Sequence, residues 1–121
     1  MLFLCLSNIL AQKVIDQSSI TTKPSIFWGK FPPGRVEYGA FKKQSQINLP
    51  EGYKLKKAII NFAGAGFQTV EIFNLYSQEL DKISAAISRC VPGTIVIIEK
   101  ILVVDKDGQD VFLSNAGFPL F

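Results

Sequence analysis

Residues 94–104, TIVIIEKILVV, followed at once by DKDG at 105–108, decide the fold of this chain. The first run is almost continuously apolar and rich in β-branched residues, which favours a β-strand. Such a run is typical of a central strand buried on both faces, or of two strands that meet at Glu99-Lys100. The Asp-Gly pair that ends DKDG is a strong hairpin signal, so residues 109–113 are expected to return as a strand. Residues 117–121, GFPLF, are then expected to close the edge of the sheet.

The clearest helical pattern lies immediately upstream, at about residues 77–90. Its apolar residues recur at intervals of three and four, which places them on one face of a helix. Ser77 can cap the first turn, and Pro92-Gly93 would end the helix. The apolar stripe consists of Leu80, Ile83, Ile87 and Cys90.

Further upstream, the sequence alternates between apolar and polar residues as a β-hairpin does. Residues 55–62 form the first alternating run, and Gly64-Ala65-Gly66 then permits a reversal of the chain. Residues 67–74 resume the alternation, with Val70 and Ile72 on one face. The two runs together predict a pair of antiparallel strands.

Shorter patterns precede this hairpin. Residues 25–30 predict an aromatic strand that ends at Pro32-Pro33-Gly34, and residues 35–38 predict another short strand. Residues 39–47 fit no single pattern. Strands on both sides of a single helix predict an α+β domain, mostly antiparallel β-sheet and sandwich-like, with one amphipathic helix at about residues 77–90.

The N-terminal residues 1–11, MLFLCLSNILA, carry no charge. As a helix they are too short to span a bilayer core of about 30 Å, but they suit the apolar region of a signal peptide cut between Ala11 and Gln12. No Lys or Arg precedes the run, so either the true start lies upstream or the signal is weak; the alternative is a buried N-terminal strand or helix. Residues 12–23 are polar and Ser/Thr-rich, which predicts a linker. We expect a periplasmic or exported protein with a single domain over residues 24–121.

The composition argues against most catalytic and metal-binding classes. Of the 121 residues, 48% are hydrophobic and 19% are charged, so the chain can bury a core of its own. It has no histidine and two cysteines, which removes the commonest base and most metal ligands. The acidic loop at residues 105–110 does not have the ligand order of a calcium loop. We expect no enzyme activity, no catalytic residue, no metal and no cofactor, and we expect Cys90 to be a buried hydrophobe instead of a reactive thiol.

Two groups of residues are candidate surfaces. Phe27, Trp28 and Phe31 lie beside two prolines and are of the types that anchor protein interfaces when exposed; the alternative is that they fill the core. A lysine-rich stretch carries much of the excess of 13 Lys and Arg over 10 Asp and Glu. It can bind nucleic acid or another anionic surface, but acidic residues lie within it, so we favour a solvated strand face that prevents aggregation. These lysines are Lys42, Lys43, Lys54, Lys56 and Lys57.

The C-terminal half has an ordered set of motifs: the helix, the turn VPGT at 91–94, IIEKI at 97–101, the Asp-Gly turn at 105–108 and a closing Gly117-Phe118. This order resembles the final periplasmic domain of the GldM/PorM family, and Phe27-Trp28-Gly29 with residues 34–41 look like the start of the same domain. The resemblance spans residues 24–121. It implies a mostly β domain that dimerises and contacts other envelope proteins, in a shaft that serves type IX secretion and gliding motility in Bacteroidetes-type bacteria. The family's transmembrane helix and preceding shaft domains have no counterpart in this sequence, so we expect the domain type and partner binding to carry over, and not the motor role.

The sequence therefore supports two hypotheses about function. The first is a non-catalytic exported domain that binds other cell-envelope proteins, with a homodimer as one form, without nucleic acid and without a stable membrane span after signal cleavage. The second is a small-ligand-binding module whose aromatic residues line a pocket near Trp28.

Overall fold

The computed structural model describes residues 24–121. The signal peptide predicted at residues 1–11 and the linker predicted at residues 12–23 lie outside the described residues. Within residues 24–121, no helix has the length and apolar character needed to cross a membrane. The elements are β1 Phe27–Trp28, α1 Tyr38–Lys42, β2 Ile47–Asn48, β3 Lys54–Gly64, β4 Glu71–Leu75, a 3₁₀ turn Asp81–Ile83, α2 Ser84–Ser88, β5 Thr94–Val104, β6 Asp110–Leu113 and β7 Ala116–Pro119.

A five-stranded antiparallel sheet forms the body of the domain. Its two long strands, β3 and β5, have 11 residues each and pair along their length. β4 lies beside β3, while β7 and β6 share the far side of β5 and pair with its first and second halves. The predicted α+β class with a mostly antiparallel sheet is confirmed, as is the long strand over residues 94–104 with its Asp-Gly turn into β6.

β5 is one strand with a β-bulge at Glu99-Lys100, where the sequence allowed either one strand or two. Ile59 of β3 is paired with Glu99, but the next pair joins Lys57 to Leu102, so β5 has one extra residue in this interval. Lys100 has a φ of 50°, and it is the one non-glycine residue with a positive φ among residues 24–121. Bulges of this kind change the direction in which a side chain points.

A second layer covers one face of the sheet, and the core lies between the two. This layer is made of β1 paired with β2, the short helices and the 3₁₀ turn. Trp28 is fully buried in it, stacks on Phe41 with ring centroids 4.1 Å apart, and donates its indole N–H to the Phe41 carbonyl at 2.9 Å. Phe118 of β7 packs against both rings. The sandwich-like arrangement is therefore unequal, because a two-stranded sheet and short helices face a five-stranded sheet.

The helical segment is shorter than predicted: helical residues occupy Asp81–Ile83 and Ser84–Ser88, within the predicted 77–90. The residues before them pair with the strand β2 region instead, since the Ile47 amide donates to the Gln78 carbonyl and the Leu80 amide donates to the Ser45 carbonyl. The apolar stripe itself is confirmed as buried. Its members are Leu80, Ile83, Ile87 and Cys90.

A second helix, α1, forms where the sequence predicted a short strand at 35–38 and no pattern at 39–47. Glu37 begins this helix, because its carboxylate accepts the backbone N–H groups of Gly39 at 2.8 Å and Ala40 at 2.9 Å. The helix has a single turn and buries Phe41 beneath it. The prediction of a strand at residues 35–38 is therefore wrong. Val36 makes one parallel bridge to Leu120, and the helix follows at once.

The turn between β3 and β4 packs closely on the loop that precedes β5. Gly64 has a φ of +81°, and a Cβ atom at this position would lie 2.5 Å from the Gly93 carbonyl oxygen. The buried Thr94 hydroxyl joins the two segments, since it donates to the Ala65 carbonyl at 2.6 Å and accepts the Val91 amide at 2.9 Å. The predicted reversal at Gly64-Ala65-Gly66 therefore also serves as a packing contact.

Candidate functional site: the outer face of the sheet

The face of the five-stranded sheet that points away from the second layer, here called the outer face, is open to solvent among the described residues. Successive residues of β5 alternate, so that Val96 and Ile98 are fully buried while Ile95 and Ile97 are 43% and 40% exposed. This corrects the expectation of a strand buried on both faces. Large exposed apolar patches are uncommon on monomeric proteins and mark binding surfaces. The exposed large apolar residues of this face are Ile72, Ile95, Ile97 and Phe112, and Val70, which immediately precedes β4, is exposed as well.

The outer face has two ends of different character. At one end, Asn61 of β3 lies between Ile72 of β4 and Ile97 of β5, so the row is mostly apolar. At the other end, Lys57 of β3 is paired with Leu102 of β5, which is paired with Phe112 of β6. We call these the apolar end and the lysine end.

Asn61, at the apolar end, is hydrogen-bonded to Glu99, which lies between the apolar end and the lysine end. The Asn61 side-chain amide donates to the Glu99 carboxylate at 2.8 Å. Buried polar groups are costly unless they are hydrogen-bonded. The amide therefore has a partner, whereas a surface that covers the Glu99 carboxylate must supply it with further hydrogen-bond donors.

The predicted basic surface is divided between two sides of the molecule. Lys42 and Lys43 lie at the end of α1 in the second layer, whereas the other three lysines lie in the first half of β3. Lys56 forms an ion pair with Asp110 at 3.1 Å, in which both side chains are about half exposed; such pairs contribute little stability. The bulge adds Lys100 to the lysine end, a residue that the sequence analysis did not include.

The predicted aromatic surface of Phe27, Trp28 and Phe31 is not continuous. Trp28 is fully buried between Phe41 and Phe118, so its assignment to partner binding is corrected, and it lines no pocket of the predicted kind. Phe31 is half-buried and packs against the core. Phe27 alone of the three is well exposed, at 42%.

The thiol of Cys90 is buried beside α2, and this burial raises its pKa to about 11. Its sulfur lies 3.7 Å from the Ala86 carbonyl oxygen. A thiol with so high a pKa is protonated at neutral pH and is a poor nucleophile. The expectation of a small buried hydrophobe at Cys90 is confirmed.

Two cavities lie away from the outer face. A groove of about 320 Å³ runs between Lys42 at the end of α1 and Asp81 and Ser84 of the helical segment, over a floor of Leu80 and Ile87. A polar hollow of about 310 Å³ lies between the turns at residues 51–53 and 105–107. Within residues 24–121 no group of three or more Asp, Glu or Cys side chains is placed to hold a metal ion.

The carboxylate of Asp105 organises the Asp-Gly turn. It accepts the backbone N–H groups of Asp107 and Gln109, each at 2.9 Å. This is the Asx-turn arrangement that favours Asp at such positions. The residues that suggested a calcium loop therefore have a structural explanation.

Sequence reasoning missed the outer face as a site. Ile95 and Ile97 lie in a run that predicted a strand buried on both faces, because such a strand and a strand exposed on one apolar face have similar sequences. The pattern around Ile72 predicted a shared strand face without indicating which side of the sheet that face is on. Lys100 was missed because its orientation depends on a bulge. No known protein family matches this chain, and no curated protein is significantly similar to it.

Proposed function

We propose that this chain is an exported, non-catalytic domain that binds other proteins, including a second copy of itself, through the outer face of its sheet. The observation that carries the proposal is the row of exposed apolar side chains on a face that no described residue covers. Apolar side chains on a sheet are normally buried against another layer. A partner protein would supply that layer.

The size of the face suits a small interface. Strands rise by about 3.3 Å per residue and lie about 4.8 Å apart, so four strand positions of up to 11 residues cover at most about 700 Å². This maximum lies at the lower end of the roughly 600–1,000 Å² that stable interfaces bury on each partner. Two copies of one twisted sheet also have the same twist, which lets them stack face to face with their strands nearly aligned.

Charge favours one orientation of such a dimer. Lys54, Lys56, Lys57 and Lys100 all lie at the lysine end, where Asp110 is the nearby carboxylate. Stacking two copies with strands running the same way would bring these lysines together. Running the strands in opposite directions places each lysine end over an apolar end, so the reversed arrangement has less repulsion.

The proposal of export rests on residues 1–11, and the proposal of an envelope partner rests on the resemblance to the GldM/PorM terminal domain. If the chain is exported with cleavage after Ala11, the protein recovered from cells that express the whole chain has Gln12 at its N-terminus, which mass spectrometry measures. Recovery of the full-length chain from the cytoplasm alone would overturn this part of the proposal.

Self-association is tested by sedimentation velocity over a wide range of protein concentration. Ile97→Glu places a carboxylate in the apolar end of the outer face, and we expect it to weaken the dimer by about 30-fold or more. Phe27→Glu is the matched control, since Phe27 is equally exposed but lies in the second layer. It should leave the dimer unchanged.

The converse result would overturn the proposed interface. If Phe27→Glu breaks the dimer and Ile97→Glu does not, the interface lies on the second layer. If the wild-type chain remains monomeric at every concentration, and chemical cross-linking in cells joins no protein to cysteines introduced at Ile72 and Ile97, the outer face is not a protein-binding surface.

A further inference from the structure

A small recess lies at the lysine end of the outer face. It has a volume of about 190 Å³, and its lining combines three apolar side chains with two lysines. Phe112 forms an exposed wall, at 55% exposure. The residues that line it are Lys57, Ile59, Lys100, Leu102 and Phe112.

The bulge in β5 is what brings the second lysine to this recess. Lys100 is the extra residue of the bulge and occupies a left-handed backbone conformation, with φ 50°. This conformation is unfavourable for a residue other than glycine. Bulges and strained residues are concentrated at binding sites, where the strain holds a side chain in a useful position.

The charges of the recess have no counterpart in the described part of the chain. No carboxylate is among the lining residues, and neither Lys57 nor Lys100 forms an ion pair with a residue in the range 24–121. The nearest acidic neighbour in sequence, Glu99, directs its carboxylate to the Asn61 amide. Two ammonium groups beside one apolar recess repel each other unless an anion lies between them.

We propose that this recess binds a single-chain aliphatic anion, of the fatty-acid type, with its carboxylate between Lys57 and Lys100. Charge-assisted hydrogen bonds from both ammonium groups hold the carboxylate. The first carbons of the chain lie against Ile59, Leu102 and Phe112, and because the recess is smaller than the 300–1,000 Å³ typical of drug-sized ligands, the remaining carbons lie along the apolar outer face. The site goes beyond the proposed protein-binding function. Because the alkyl chain and a protein partner would cover the same outer face, the two would compete, and dodecanoate binding should weaken at protein concentrations at which the dimer forms.

The first test is isothermal titration calorimetry of the full chain with dodecanoate, below the concentration at which dodecanoate forms micelles. Dodecanol and dodecyltrimethylammonium are the matched probes, with the same chain and a neutral or cationic head. We expect saturable binding of one dodecanoate per chain, weakened by salt, and binding of the other two probes weaker by at least about tenfold. Equal binding of dodecanol would overturn the proposal, because the lysines would then contribute nothing.

Variants locate the site. Lys57→Gln and Lys100→Gln should each weaken dodecanoate binding by about tenfold, since each removes a charged hydrogen-bond donor. Lys43→Gln removes an exposed lysine from the second layer and should leave binding unchanged. If all three variants bind as the wild type does, the recess is not the site.

A further variant separates loss of binding from loss of folding. Asparagine tolerates the left-handed conformation better than lysine, so Lys100→Asn should melt at the wild-type temperature or above while it loses affinity for dodecanoate. A variant that melts normally and also binds normally would overturn the role of Lys100.

A bilayer is the alternative source of the same anionic head and aliphatic chain. Co-sedimentation with vesicles of phosphatidylglycerol, and with vesicles of phosphatidylcholine as the control, distinguishes it. Binding to phosphatidylglycerol vesicles without binding of monomeric dodecanoate would overturn the proposed site for a single free molecule. Binding of monomeric dodecanoate that is lost in the Lys57→Gln variant supports it whatever the vesicles do.

Discussion

At the scale of single residues, Glu37 decides where helix α1 begins. The backbone N–H of Gly39, followed by that of Ala40, donates to the carboxylate and lowers the pKa of Glu37 below its ordinary value of 4.5, and Lys43 lowers it further. These bonds exist in the folded state, so folding favours the ionised carboxylate. A folded pKa below the unfolded value means that this contribution is complete above about pH 4.5 and is lost as the pH falls through the folded pKa.

We therefore expect Glu37→Gln to melt at a lower temperature than the wild type at pH 7, because a neutral amide is a weaker cap. The difference between the two melting temperatures should shrink as the pH falls below about 4.5, where the wild-type carboxylate is protonated too. Circular dichroism melts of both proteins over this pH range measure it. A difference that stays constant down to the lowest pH would show that the charge of Glu37 does not matter.

Trp28 shows why single residues in the aromatic segment were hard to place from sequence. Its burial depends on Phe41 and Phe118, which lie 13 and 90 positions away in the chain. No local sequence pattern predicts such distant partners, so the three aromatic residues at positions 27, 28 and 31 are equally compatible with an interface and with a core. The structure places Phe27 outside and Trp28 inside, as neighbouring residues on a strand must be.

At the scale of elements, the contact between the β3–β4 turn and the loop before β5 can be tested with a matched pair of glycines. Gly64 and Gly108 have φ angles of +81° and +80°, but a Cβ at Gly64 would lie 2.5 Å from the Gly93 oxygen and a Cβ at Gly108 would meet nothing within 4 Å. We expect Gly108→Ala to cost about 1 kcal/mol for its backbone conformation and Gly64→Ala to cost about 2–4 kcal/mol.

Urea denaturation of the two variants measures these free energies of unfolding. The difference between the two free energies measures the contact of the new Cβ with the Gly93 carbonyl oxygen, since both variants have the same backbone cost. Equal costs would mean that the turn and the loop move apart easily, and that the contact does not stabilise the fold.

The long strands could be predicted from sequence, and the short helices could not. Residues 94–104 form a long β-branched run, and residues 55–62 alternate regularly between apolar and polar side chains. In both segments the local preference for a strand agrees with the tertiary structure. Residues 78–80 have a helical pattern, yet their backbone bonds go to residues 45–47, because tertiary pairing outweighs a weak local preference. Helix α1 has five residues, one of them glycine, and depends on the Glu37 cap.

At the scale of the whole molecule, the two faces of the sheet should differ sharply in their tolerance of polar residues. Ile97 and Ile98 are neighbours on β5, but Ile97 is 40% exposed and Ile98 is fully buried. In dilute solution we expect Ile98→Thr to lower the free energy of unfolding by about 3 kcal/mol, because packing is lost and a hydroxyl is buried. Ile97→Thr should cost less than about 0.5 kcal/mol.

Thermal or urea unfolding of both variants at low protein concentration provides the comparison. At high concentration, where the proposed dimer forms, Ile97→Thr should lower the free energy of unfolding by more than it does in dilute solution, because the outer face is then covered. If Ile97→Thr is as costly as Ile98→Thr even in dilute solution, another part of the chain covers the outer face.

The candidate site was predictable in part. The lysines at positions 54, 56 and 57 were recognised as a surface from sequence, and they lie at one end of the outer face. The apolar part of the face was not recognised, since Ile95 and Ile97 look like core residues until the second layer is seen to lie on one side alone. Lys100 joins the site through a backbone conformation that lysine rarely adopts, which no sequence pattern reveals.

The backbone bonds along β7 have a consequence for the order in which the chain can fold. Gly34 and Val36 donate their amides to the carbonyls of Gly117 and Pro119, and the amide of Phe121 donates to the Val36 carbonyl. The first residues of the domain thus bond to residues that lie more than 80 positions later in the chain. Because closing so long a loop costs entropy before these bonds can form, the segment around Val36 is expected to dock onto the sheet late in folding.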